Sequence, residues 1–174
     1  PMAAAELGRA TRRADAARVV RVLGRIGTPA ATAALTAQMG HANENFRHAV
    51  LKALARSGFV AGPADAARVG AALEAELANA AWLLACRADL EGEGRAELVR
   101  RALDNDLDEA GDRVLLLLSF GTARQTVLNA RTILEYGTED QYAQALEAVD
   151  NLLPRDLSEA ERKQAKPLTI KLVT

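Results

Sequence analysis

The chain has 174 residues, enough for one domain with a sizeable core, and Ala and Leu dominate its apolar residues while aromatics are scarce. That bias favours helix over strand, because Ala and Leu lose little entropy in helices and strands draw mostly on aromatic and β-branched residues. One cysteine, Cys86, excludes an internal disulfide, and with only two histidines a transition-metal site is poorly supplied.

The net charge of −1 hides an asymmetry. Residues 1–60 carry nine Lys/Arg against three Asp/Glu, whereas residues 61–111 carry five against eleven. A basic end beside an acidic middle can steer partners. The start is polar and Arg-rich, without the apolar core of a signal peptide. The strongest apolar runs, "VLLLLSFG" and "AAWLLAC", fall short of the ~20 residues that span a bilayer. Pro1-Met2 reads as a cleavage remnant, and "KPLTIKLVT" ends without a helix stop, so the chain reads as an excised domain.

In chain order, the first helix carries Val19, Val20, Leu23 and Ile26 as an apolar stripe, with Arg18, Arg21 and Arg25 on another face. Gly27 suits a left-handed helix end, Thr28 an N-cap and Pro29 the first position of the next helix. That helix carries Ala30, Ala34, Leu35 and Met39 and ends near Gly40. A third runs from about Glu44 to Ser57, with Phe46, Val50, Leu51 and Leu54 inward, and stops at Gly58. Pro63 and Asp65 open an Ala-rich helix with Val69, Leu73 and Leu77. A break near Asn79 would start "AAWLLACRADL", or 65–89 would be one long helix. After the loop "EGEG", the helix "RAELVRRALDND" and its partner "LDEAGDRVLLLLSFG" close at Gly121. "TARQTVLNARTILEYG" then runs from a Thr122 cap to a Gly137 stop. Thr138 caps the next helix, which Pro154 ends. Ser158 and Glu161 form a capping box for a short last helix before Pro167. The count is one leading helix, four helix pairs and a tail.

A shift of 31 residues lays "VVRVLGRIG" (19–27) over "VLKALARSG" (50–58). Val19 meets Val50, Arg21 meets Lys52, Leu23 meets Leu54, Arg25 meets Arg56 and Gly27 meets Gly58. A helical repeat with a basic outer stripe fits a helix-pair solenoid. The expected fold is all-α, a right-handed α-α superhelix of about four or five helix pairs over residues 1–157, followed by a C-terminal helix and tail over 158–174.

A Pro at the start of a first helix, followed by a second helix reading "RHAVLKALARSG", resembles HEAT-type repeats, especially the short Ala-rich kind shared with phycobilin lyases. Arg47, Ala49, Leu51, Ala53 and Leu54 carry the likeness, with Pro29 in support. A narrower likeness lies at "QALEAVDNLLPRDL" (144–157), through Ala145, Leu146, Glu147, Asp150, Asn151, Leu152 and Leu153. It resembles the last repeat of HEAT regions fused to bacterial ATP/ADP-carrier-like membrane proteins of the major facilitator class. The resemblance implies a soluble, cytoplasmic module tethered through a missing transporter domain, although no membrane segment is evident in the sequence.

The candidate binding feature is a basic ladder of Arg18, Arg21, Arg25, Lys52 and Arg56, joined by Arg47. Repeat register would set Arg21 beside Lys52 and Arg25 beside Arg56, and such close like charges favour a bound anion or an acidic partner. A solvated helix face is the plainer alternative. Trp82 either packs between layers or stands on the inner ridge as an anchor. Cys86 reads as a small buried hydrophobe, and His41 and His48 as capping or solvated groups. In "DNDLDEAGD" (104–112) Glu109 stands where a calcium loop needs Gly, so its acids read as a helix-terminal loop. No phosphate-cradling glycine motif is present.

No catalytic residue, metal or cofactor is expected. The chain is expected to be a non-catalytic interaction or regulatory module whose partner is a protein or its own membrane domain, with an anionic ligand as a further option. A bilin-lyase-like accessory factor or enzyme built on Cys86 and Trp82, and a phosphate-backbone binder, are the alternatives. Scarce aromatics in the basic half speak against nucleic acid.

Overall fold

Helix ends in the first part of the chain follow from local chemistry. In the computed structural model, which describes residues 13–121, 124–136, 138, 141, 144, 145, 147 and 148, helix α1 spans Arg13–Ile26. It stops at Gly27, whose N–H still bonds to the carbonyl of Leu23 and whose φ of 60° turns the following chain out of the helix. Thr28 then adopts an extended conformation and its hydroxyl accepts from the Ala31 N–H at 3.3 Å, with Pro29 at the head of α2 (Pro29–Thr36). Asn43 caps α3 (Glu44–Arg56) through the Phe46 N–H at 3.0 Å. Gly58, at φ 75°, closes α3 in a Schellman arrangement: Phe59 N–H bonds to Leu54 O and Gly58 N–H to Ala55 O.

The described residues fall into two compact units that part between Ala72 and Leu73. In the first, α1, α2 and α3 pack against one another. Val20 and Leu23 of α1, Ala31 and Leu35 of α2, Met39, and Val50, Leu51 and Leu54 of α3 are buried. Two expectations shift: Ala30 is exposed with Ala31 taking its inward place, and Ile26 is 48% exposed. The helices α1 and α3 approach closely at Gly24 and Ala53. A β-carbon built on Gly24 would lie 2.8 Å from the Ala53 β-carbon, so the helices touch backbone to backbone there.

Helix α4 spans Pro63–Asp89 without a break at Asn79. Alanines on both sides of Asn79 favour helix strongly enough to carry one weak former. Helix α5, Glu97–Leu118, is likewise continuous where a pair was expected. The single helix was one of the two readings open for 65–89, whereas over 97–118 one helix replaces a predicted pair, and "DNDLDEAGD" lies in a helix interior rather than a loop. The reason is the same: between Glu97 and Leu118 the one glycine is Gly111 and there is no proline, so nothing supplies a stop. At the head of α5, side-chain hydrogen bonds from Arg100 and then Arg101 hold the Glu97 carboxyl below the usual carboxylate range.

Within the second unit, the parts of α4 and α5 from Leu73 onward form an antiparallel hairpin. Glu76 pairs with Arg113 and, further along, Arg87 with Asp104. Ala80 and Leu83 pack on Leu107 and Ala110 between these pairs. The second half of α5 is buried nearly all round, from Ala110 to Leu117. Leu115 packs with Val127 and Ala130 of α6 (Arg124–Tyr136) and with Ala145. At Thr138, the N–H donates to the Gln141 side chain at 3.0 Å, one half of a capping box.

Among the described residues α4 is the one helix long and apolar enough to cross a membrane by length and composition. Its buried Glu76 and its packing on α5 make it half of a helical hairpin. The Thr122 cap, the Gly137 stop, the Pro154 helix end, the Ser158–Glu161 box and most of 144–157 lie outside the described residues. The fold is all-α, with no strand among the described residues.

Candidate interaction face

Helix α1 turns Ala16, Val20, Leu23 and Gly24 inward. Residues three and four apart share a helix face, so the opposite side collects Arg18, Arg21, Val22, Arg25 and Ile26. All five are exposed, Val22 at 50% and Ile26 at 48%. Among the described residues, none of Arg18, Arg21 and Arg25 has an ion pair. Arg25 and Arg56 both stand in the last turn of their helices, where cations complement the negative end of the helix dipole.

The two ladder helices are adjacent, since α1 packs on α3. Arg56 is exposed on α3, while Lys52 is half-buried and engaged in an interaction of its own. Arg47 serves the turn before its helix: its guanidinium donates to the carbonyls of His41 at 2.8 Å and Ala42 at 3.3 Å. The same turn is fixed by the His41 ring, whose Nδ1 accepts from the Asn43 N–H at 3.0 Å and which lies 4.6 Å from the Phe46 ring. His41 is thus a capping group, as expected of it.

Trp82 belongs to the second unit and is 61% exposed, so it does not fill the space between layers. It is exposed without the helix start at Asn79 on which the ridge reading depended. Cys86 is a free, half-buried thiol. The described residues contain no group of three His, Cys, Asp or Glu side chains able to hold a metal ion.

Sequence reasoning missed two features. One is the edge formed by Val22 and Ile26, because Ile26 was counted as core. The other is the ion pair of Glu76 and Arg113, with Nε to Oε2 at 2.8 Å and both side chains buried. Its signal was present, since Glu76 sits in register with Leu73, Ala80 and Leu83 on the buried stripe of α4.

A family model described as HEAT repeats matches residues 3–86, just under half of the chain. No curated protein and no solved structure gives a significant match. The matched segment covers α1, α2, α3 and most of α4, and its repeat spacing and tight α1–α3 contact agree with it, so the match supports a HEAT-like repeat domain within an all-α chain.

Proposed function

We propose that this chain is a non-catalytic recognition module of the HEAT-repeat kind, whose first unit offers a basic face to an acidic protein segment. HEAT repeats typically mediate protein interaction or scaffolding, which supports the general kind. The observation that carries the reading is the exposure of Arg18, Arg21 and Arg25 on α1, beside Arg56 on the helix packed against it. Guanidinium groups with no ion pair among the described residues are available for charge-assisted bonds to carboxylates. The finer reading is a cytoplasmic domain tethered to a transporter-like membrane protein. It rests on the resemblance at 144–157 and is tested by the native reading frame, where several ~20-residue apolar spans upstream would support it.

The face itself is tested with fluorescein-labelled polyglutamate. Binding should weaken steeply with salt, and Arg21→Glu, Lys52→Glu and Arg56→Glu together should abolish it while helicity is unchanged. Unchanged binding by the triple variant would refute the ridge. A duplex DNA probe binding more tightly than polyglutamate would favour the phosphate-backbone alternative.

A further inference from the structure

The 31-residue repeat makes position 53 of α3 equivalent to position 22 of α1. Ala53 is 2% exposed because α1 lies on it through Gly24. Val22 is 50% exposed. The same equivalence pairs Ser57, half-buried on α3, with Ile26, 48% exposed on α1. Position 24, where α1 touches α3, lies two residues and about 200° around the helix from position 22, at about 100° per residue. One side of α1 therefore meets α3, and the other presents an uncovered copy of the surface that α3 offers to α1.

From this we propose that the Val22–Ile26 edge of α1 docks an acidic amphipathic α-helix, continuing outward the packing of α1 on α3. The occupant's chemistry follows from two observations. The contact already made by the equivalent surface uses a helix with glycine at the crossing point, so the partner helix carries a small residue opposite Val22. Arg18, Arg21 and Arg25 flank the edge, exposed and without ion pairs among the described residues, so the partner carries carboxylates beside its apolar stripe. Apolar anchors at helical spacing then supply affinity, and the arginines select against basic or neutral helices.

This inference rests on the recognition reading above and narrows it to one edge. The probe follows from the repeat. It is a peptide with the sequence Arg13–Ile26, in which Ala14 and Arg18 are replaced by a helix staple and the other three arginines by glutamate. The peptide keeps the inward residues Ala16, Val20, Leu23 and Gly24. The staple is needed because helices of this length are marginal alone in water. Fluorescence anisotropy with the full chain should show saturable binding that weakens with salt. Val22→Glu and Ile26→Glu, both at exposed positions that leave the fold intact, should each weaken it about tenfold or more, about 1.4 kcal/mol.

Absence of binding by the native chain, or equal binding by the Val22→Glu variant, would overturn the proposal. A native dimer in sedimentation equilibrium that Val22→Glu dissolves would also overturn it, in favour of a second copy as occupant. The polyglutamate assay separates the two readings. Val22→Ser, which removes the apolar anchor without changing the charge of the face, should weaken the stapled peptide but leave polyglutamate binding intact, whereas failure of the ridge would appear with polyglutamate alone, with the stapled peptide still bound.

Discussion

Gly24 and Gly70 both lie inside helices of the first unit, and substituting alanine at each should move stability in opposite directions. In a helix interior, alanine is favoured over glycine by about 1 kcal/mol. At Gly70 nothing lies within 4 Å of a built β-carbon, so Gly70→Ala should collect that gain. At Gly24 the new β-carbon would sit 2.8 Å from the Ala53 β-carbon and 3.1 Å from its Cα and carbonyl oxygen. Carbon pairs are comfortable at about 3.5–4.0 Å, so α1 and α3 must separate by nearly 1 Å. Overpacking of this kind costs about 1–3 kcal/mol, which outweighs the helix gain and leaves a net loss of about 1 kcal/mol.

The two variants should therefore differ by about 2 kcal/mol, with thermal midpoints on opposite sides of the native one by about 2–4 °C each. Urea unfolding followed by far-ultraviolet circular dichroism measures this directly. Ala53→Gly added to Gly24→Ala should recover part of the loss, because it removes the 2.8 Å contact but leaves the two at 3.1 Å to the Ala53 backbone. If Gly24→Ala stabilised the protein as much as Gly70→Ala, the close crossing of α1 and α3 would be refuted, together with the repeat packing built on it.

Removing one member of the buried pair, by Glu76→Gln or Arg113→Met, should lower stability by about 3–5 kcal/mol in urea unfolding, whereas Glu76→Leu with Arg113→Met should be neutral or stabilising. Native midpoints for both single variants would mean that the charges are solvated. Gly58→Ala forces a β-carbon onto a residue at φ 75° and should cost about 1–2 kcal/mol by the same assay. The Glu97 carboxyl is lowered in the folded chain, so the support it gives is complete above its unfolded value and is lost as pH falls through the lower folded one. Glu97→Gln should flatten that acid limb of stability against pH, and an unchanged limb would show that Arg100 and Arg101 do not hold it.

Legibility in the sequence follows the kind of signal each element carries. The turn at Gly27-Thr28-Pro29 and the end at Gly58 were readable because each residue has a conformation or a missing donor that only such a site tolerates. The repeat over 19–58 was readable because glycine, arginine and apolar positions recur together. Residues 63–121 resisted the same treatment. Polar clusters at Asn79 and at 104–112 resemble breaks, but helix ends need a residue that favours leaving the helix, and alanine, leucine and arginine do not.

The candidate site divides along a related line. Exposed arginines are visible from helical periodicity alone, since a charge on the face opposite the apolar stripe has nowhere else to go. Arg47 and Glu76 show where that rule fails. A long guanidinium folds back to two turn carbonyls, and a carboxylate enters the core because an arginine on the next helix meets it there. The first depends on the path of the preceding turn and the second on which helix is adjacent, and periodicity encodes neither. Val22 is the converse case: its residue type asks for burial, and its repeat-equivalent Ala53 shows how that position is satisfied when a neighbouring helix is present. An apolar residue left half-exposed at a position where its counterpart is covered by a helix is therefore what the proposed docking edge requires.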